Sequence, residues 1–270
     1  MNNTQNNGSY ALVTGGSEGI GRAIAHALAL RGFNLLIVAL PDAKIEEAIS
    51  EIKGEYGCDV KGLGVDMRVD GADLTILRWV EELDVSVRVL VNNAGFGHLG
   101  SFGEFDRNFY HGLLQVNMIN VVGLTRVMFD KMQGNGPAWV LNVGSIASFF
   151  PIPYKTVYAS SKYFIYAFSR ALREEFRGTG VNVSLLCPGP VLTNSEVKAR
   201  IVYAGKLGKM MAQTPEVVGM RAVDQMMRGK WLVLPGLSVR LAWYLNKLLP
   251  ERMMQQLLAK GFRKKHLNGG

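Results

Sequence analysis

The sequence predicts an α/β fold: a doubly wound parallel sheet of about seven strands, flanked by helices. Three observations carry this. Short apolar runs alternate with helix-compatible stretches along most of the chain. Those runs are predominantly apolar, rich in Val, Leu and Ile, as strands covered on both faces are. The first of them leads straight into a glycine-rich turn and then an Ala/Leu-rich stretch, a strand–turn–helix unit.

Taken in order, residues 10–14 form the first strand, Gly15 to Gly21 the turn, and 22–31 a helix. Residues 34–40 are the second strand. Pro41-Asp42 opens a helix to about Lys53, with proline at a favoured first-turn position. Residues 60–66 are strand three and 70–83 a helix. Residues 87–92 are strand four, ending in Asn92-Asn93-Ala94-Gly95, and 97–103 a loop. Residues 105–133 are helical in two pieces, 138–143 strand five, 155–177 a helix, 181–186 strand six and 231–234 a late short strand. No internal repeat and no Pro/Ser-rich linker divides the chain, so 10–235 reads as one domain. Residues 1–9 read as a disordered polar tail and 236–270 as a basic amphipathic helical extension.

Composition narrows the classes. Of 270 residues 48% are apolar, enough for a sizeable core. Cys58 and Cys187 are far apart, with no metal-ligand spacing, and fit a reducing compartment. The polar start lacks the basic and apolar regions of a signal peptide. No uncharged apolar run reaches the roughly 18 residues of a spanning helix. The expected location is cytoplasmic, with membrane association open through the extension. The net charge is +8, and from Gly236 onward seven Lys and Arg face one acid, Glu251, a local +6. Those cations lie among Leu, Met and Trp243. Such a segment can lie in a membrane interface or pack on its own domain or a partner. It lacks a nucleic-acid reading motif, so nucleic acid is not an expected partner.

In such sheets ligands bind beyond the carboxyl ends of the strands. The glycine turn, Asp66, Asn92 to Gly95, Ser145 and Cys187 to Pro190 all fall there. The glycines allow close approach of a pyrophosphate, and the helix behind them offers free N–H groups and positive dipole. Tyr158 and Lys162 stand four apart on the helix after strand five, on one face. A phenol titrates near 10, and a neighbouring ammonium favours its ionised form. The pair could exchange a proton with a carbonyl or alcohol oxygen, with the Ser145 hydroxyl holding that oxygen. Asn117 could instead brace a helix. Cys187 reads as a small wall residue, His98 as a loop residue, and Tyr154, Tyr163 and Tyr166 as packing.

These motifs resemble the short-chain dehydrogenase/reductase family, whose domain is a Rossmann fold. Its glycine pattern matches Thr14, Gly15, Gly19, Ile20 and Gly21; its Asn-Asn-Ala-Gly matches Asn92 to Gly95; its Pro-Gly followed by Thr matches Pro188, Gly189 and Thr193. Its catalytic Asn, Ser, Tyr and Lys map to Asn117, Ser145, Tyr158 and Lys162. The resemblance implies a nicotinamide-dependent oxidoreductase. Tyr158 is then the acid/base, and Lys162 lowers its pKa and binds the nicotinamide ribose. Ser145 orients the substrate oxygen, and Asn117 holds a water linking Lys162 to solvent. The implied cofactor contacts are Thr14, Gly15, Ser17, Glu18, Gly19, Ile20, Gly21, Leu40, Asp66, Met67, Asn93, Ala94, Gly95, Tyr158, Lys162, Pro188, Gly189, Val191 and Thr193. Relatives preferring NAD carry an acid at the position of Ala39, which is missing here. NADP(H) is therefore preferred, with Arg22 and Lys44 as possible helpers, and NAD(H) remains possible.

In the family, the region 194–214 forms a substrate lid; here it is apolar and methionine-rich. With Phe149, Phe150, Ile152 and Pro153 it fits an apolar ketone or alcohol: a 3-oxoacyl group, a long-chain 3-keto lipid or a steroid-like ketone. The resemblance also implies a homodimer or homotetramer. The rival readings are a non-catalytic dinucleotide-binding regulator, a peripheral membrane scaffold, and a sugar-nucleotide epimerase or dehydratase.

Overall fold

Seven parallel strands lie side by side in the order β3-β2-β1-β4-β5-β6-β7. A computed structural model describes residues 8–134, 136–192 and 212–248, with Pro250, Arg252, Met253, Met254, Gln256, Ala259 and Gly261 beyond them. The strands are β1 (Tyr10–Thr14), β2 (Asn34–Ala39), β3 (Val60–Gly64), β4 (Val87–Asn92), β5 (Ala138–Val143), β6 (Val181–Leu186) and β7 (Leu232–Val233). The helices are α1 (Gly19–Ala29), α2 (Ala43–Tyr56), α3 (Ala72–Glu82), α4 (Arg107–Leu114), α5 (Asn120–Met132), α6 (Thr156–Glu175), α7 (Pro215–Met227) and α8 (Leu237–Leu248). Every residue of β1 is buried. Helices cover both faces, which is why most strand residues are apolar and buried.

One apolar layer joins α1, α2 and α7 to the sheet through Ile24, Leu28, Ile52, Val218 and Met226. The opposite layer joins α3 and α5 through Ile76, Leu124 and Met128. Arg107–Met132 is long and apolar enough to cross a membrane, but 56% of its most apolar 18-residue window is buried in the domain. The strand order reverses between β1 and β4, so the crevice for a ligand opens at their carboxyl ends.

Several boundaries differ from expectation for local reasons. The first helix starts inside the glycine motif, at Gly19, not at Arg22. The second starts at Ala43: Asp42 caps it by accepting from the Lys44 amide at 3.0 Å, so Pro41 lies outside the helix. Its C-terminus is Tyr56, where Gly57 takes a left-handed turn. Strand three stops at Gly64, leaving Asp66 in the turn that follows. The helical stretch expected over 105–133 is α4 and α5 joined by a π-helical turn, Gln115–Ile119, and Phe102–Glu104 is a 3₁₀ turn within the expected loop. The tail 1–7 and residues 193–211 lie outside the described residues.

α7 lies directly against α1, the helix behind the glycine turn. A Cβ on Gly219 would sit 2.6 Å from the Ala23 carbonyl carbon, so only glycine permits this approach. Arg31 and Asp224 pair across the same seam. Gly219→Val is expected to lower stability by about 1–3 kcal/mol through overpacking, beyond the few tenths gained in helix propensity. An unchanged thermal midpoint would show that the two helices can separate freely.

Candidate active site

The ends of β1 and β4 are tied together. Asn93 Nδ2 donates to the Thr14 and Gly15 carbonyl oxygens at 2.9 and 3.0 Å. Thr14 Oγ1 accepts from the Asn93 and Ala94 amides at 3.0 and 3.1 Å. Gly15 has φ of 64°, and a Cβ on Gly21 would overlap the Gly15 carbonyl. Glu18 is the N-cap of α1, and its side chain makes no capping bond. The first amides of α1 are therefore not capped by that side chain and face a cradle lined by glycine, with buried Ser17 beside it. This is the chemistry a pyrophosphate needs, so the turn fits a dinucleotide.

The 3₁₀ turn Ile146–Phe149 follows β5 and is capped by Ser145, whose Oγ accepts from the Ala147 amide at 3.1 Å. That leaves the Ser145 O–H to donate. Pro188 O accepts from the Ile146 amide at 2.9 Å, joining the end of β6 to this turn. Tyr158 and Lys162 lie on the first half of α6. Burial pushes the Tyr158 phenol above its ordinary value, and a hydrogen bond with Ser145 pulls it partly back. Lys162 is buried; its Nζ donates to Val143 O at 3.0 Å and lies 5.9 Å from the Tyr158 ring centroid. Burial pushes Lys162 down to about 8. The expectation that Lys162 lowers the Tyr158 pKa is not met in this arrangement. The ammonium is drawn to a backbone carbonyl, and desolvation dominates the phenol.

Asn117 sits in the π-helical turn, fully enclosed. Its Oδ1 accepts from the Phe96 amide at 3.1 Å, and its Nδ2 donates to Phe96 O at 3.0 Å and to Ser161 Oγ at 3.1 Å. The side chain thus ties the loop after β4 to α6, where the alternative reading had it brace a helix. Both Asn117 Oδ1 and Lys162 Nζ lie within 3.3 Å of where a Gly95 side chain would begin. Gly95 therefore brings the end of β4 against the catalytic candidates.

The other expected contacts divide. Met67 is buried, and its carbonyl accepts from Asn120 Nδ2 at 2.6 Å. The Asp66 carboxylate is forked by Arg68 at 2.6–3.0 Å, which holds it below the usual carboxylate range. Leu40 is 52% exposed at the end of β2, open to an adenosine ribose. Arg22 and Lys44 are not free helpers for a phosphate: Arg22 pairs with Glu47 and Glu51, and Lys44 with Glu18 at 2.7 Å. The latter pair also offsets the charge of Glu18. Val191 is buried in a bridge with Gln213, beside Pro188 and Gly189. Thr193 and most of the expected lid lie outside the described residues.

Sequence reasoning missed the supports. Asn92 Nδ2 donates to Thr125 Oγ1 and Asn142 Oδ1 at 3.0 and 2.8 Å, and Asn142 Nδ2 to Ser169 Oγ at 2.9 Å. This buried chain pins β4, β5, α5 and α6 together. Its signal was an Asn at the end of each of two apolar strands, in register with each other. Ser161 donates to the Tyr158 carbonyl at 2.7 Å. His98 is buried, not merely a loop residue: its ring stands edge-on to Phe105, Phe109 and Tyr110, and burial lowers its pKa.

A dinucleotide cradle at the switch point, with Ser, Tyr and Lys grouped beyond β5, defines a class of nucleotide-dependent α/β proteins. Residues 9–202 match the short chain dehydrogenase family, and the chain belongs to it. It is 30% identical over 192 residues to a very-long-chain 3-oxoacyl-CoA reductase of Danio rerio, covering 69% of this chain and 59% of that protein. It is 27% identical over 268 residues to the Mus musculus protein of that name, covering 96% of this chain and 82% of that one. The chain thus spans about 60% of the length of some of these relatives. Among solved structures, a 7β-hydroxysteroid dehydrogenase superposes with a TM-score of 0.87 at 23% identity, covering 96% of this chain and all of that one. A short-chain dehydrogenase from Sphingobium yanoikuyae in complex with NADPH gives 0.77 at 23%, covering 91% and 95%.

The buried lysine has a pH signature. An unfolded Lys keeps its proton to its ordinary value of 10.5, folded Lys162 only to about 8. Between those values the unfolded chain binds more protons, so this group's contribution to stability rises with pH; below about 8 the full cost of burying its charge is present. Lys162→Met removes the effect. The stability difference between wild type and variant, from urea midpoints, should move in favour of wild type by on the order of 2 kcal/mol from about pH 8 to about pH 10. A constant difference would mean that Lys162 is not desolvated.

Proposed function

We propose that this protein is an NADP(H)-preferring reductase that interconverts a ketone and a secondary alcohol on an apolar substrate, a 3-oxoacyl or long-chain 3-keto lipid. The observation that carries it is the grouping of Ser145, Tyr158 and Lys162 beyond β5, beside the glycine cradle and an apolar wall of Phe149, Phe150 and Ile152. The names of the relatives, very-long-chain 3-oxoacyl-CoA reductases, support the substrate class.

The bound nicotinamide would supply the hydride to the carbonyl carbon. Ser145, whose Oγ lone pair is already engaged by the Ala147 amide, donates its O–H to the substrate oxygen. Tyr158, kept protonated by burial, delivers the proton to that oxygen as the alcohol forms. Lys162, poised at about 8 and so able to gain or lose a proton near neutrality, returns a proton toward the phenolate. Asn117 fixes the loop that carries Asn93 to Gly95, and hence the floor of the site. Thr14, Gly15, Gly19 and Gly21 with Asn93 would hold the dinucleotide, and Val191 the carboxamide. Assembly as a homodimer or homotetramer is supported by the family resemblance. A purely regulatory dinucleotide sensor would have no need of the Ser145–Tyr158 hydrogen bond.

Tyr158→Phe is expected to lower kcat roughly 10²–10⁴-fold while NADPH binding, followed by nicotinamide fluorescence, stays within about threefold of wild type; undiminished turnover would defeat the mechanism. The cofactor preference has its own test at Leu40. An Arg there can bond a 2′-phosphate, a gain of about 1.5 kcal/mol or roughly tenfold. Leu40→Arg should tighten NADPH by that factor and leave NADH unchanged. Equal tightening of both would place the adenosine phosphate elsewhere.

A further inference from the structure

We propose that the outward face of α8 is a docking surface for an anionic lipid bilayer. Leu237, Leu241, Tyr244, Leu245 and Leu248 recur at helical spacing and are all exposed, Leu237 by 81% and Leu248 by 77%. A surface helix of a water-facing domain ordinarily carries polar groups on that side. Here the inner side is apolar as well. Val239 is fully buried, and its Cγ2 would lie 2.9 Å from a side chain begun at Gly189. Ala242 and Trp243 pack on the cluster of Phe149, Phe150 and Ile152. The outer stripe is therefore not needed to hold the helix in place.

Charge identifies the occupant. α8 carries Arg240 and Lys247 and no acid, and Lys247 Nζ stands 3.9 Å over the Trp243 ring. A stripe of Leu and Tyr bordered by cations, with an indole beside them, matches the boundary between acyl chains and anionic headgroups. The sequence from Gly236 onward adds to the attraction, with seven Lys and Arg against Glu251. Self-pairing of α8 about a two-fold would bring the same cations of two copies together without a compensating acid in the helix. The cluster that anchors α8 also contains Tyr158. The docked helix and the catalytic phenol thus share one apolar wall, which would set a bilayer-borne ketone near the site. The docking stands by itself; only this purpose rests on the proposed reaction.

The test is co-sedimentation of the full chain with vesicles of phosphatidylcholine alone and of phosphatidylcholine mixed with phosphatidylglycerol. It is run for wild type and for Leu241→Glu/Leu245→Glu, both exposed positions. Wild type should bind the anionic vesicles at least tenfold better than the neutral ones, and less well at high salt. The variant should lose at least tenfold of that binding and keep wild-type NADPH-dependent reduction of a short, water-soluble 3-keto ester. Binding by wild type with no reduction by either protein would support docking and count against the reaction. Failure to bind anionic vesicles, equal binding to neutral ones, or unaltered binding by the variant would each overturn the proposal. So would conversion of a wild-type oligomer to a smaller species in the variant, by light scattering without lipid, since the face would then be a contact between copies.

Discussion

The bond between Asn93 and the turn after β1 is the constraint on which the site depends. One amide group links the ends of two neighbouring strands whose following helices cover opposite faces of the sheet, and holds the carbonyls of Thr14 and Gly15. With that tie in place the glycine turn cannot swing away from the loop after β4. The loop is fixed in turn by Asn117 on Phe96, and Asn117 by Ser161 on α6. The path from cradle to Tyr158 is therefore a run of hydrogen bonds between buried and half-buried groups, and the enclosed ones are costly to leave unmade. This explains why glycines and small polar residues crowd a region otherwise walled with Val, Leu and Ile.

The strands were legible because a sheet covered on both faces draws on Val, Leu and Ile throughout: β1, β2, β4, β5 and β6 lie where predominantly apolar runs lie. Helix starts were less so. Asp42 could be read as a cap, but Pro41 drew the boundary back because both residues favour a helix N-terminus. The π-helical turn at Gln115–Ile119 has no periodic signal, since its cause is tertiary: it lets the Asn117 side chain reach Phe96. The Ser145, Tyr158 and Lys162 grouping was readable from spacing and strand ends. Its electrostatics were not. Desolvation depends on what surrounds a group, and the enclosure that raises Tyr158 and lowers Lys162 is built by residues distant in sequence. Of the Asn92–Asn142–Ser169 chain the sequence showed only the two Asn near strand ends; their pairing and the Ser169 partner depend on packing distant in sequence.

The apolar cluster around Tyr158 connects the reaction to the C-terminal helix. Phe149, Phe150 and Ile152 form a wall that an aqueous, sugar-like substrate would not favour, and Trp243 extends it to α8. Among the described residues, buried polar groups that could recognise hydroxyls are fewer on this side than on the cofactor side. Under the proposed reaction the asymmetry would divide labour: polar backbone and Asn groups would hold a charged dinucleotide, and aromatic and aliphatic groups a ketone whose bulk is hydrocarbon.

The most direct measurement is the fate of deuterium. Wild-type protein would be incubated with a long-chain 3-keto ester and NADPH deuterated at both C4 positions, and the product analysed by mass spectrometry. Deuterium on the new carbinol carbon, one per alcohol formed, is the predicted result. Absence of alcohol across the chain-length series, or alcohol without deuterium, would contradict the reading of Tyr158, Ser145 and Lys162 as the centre of a carbonyl reductase.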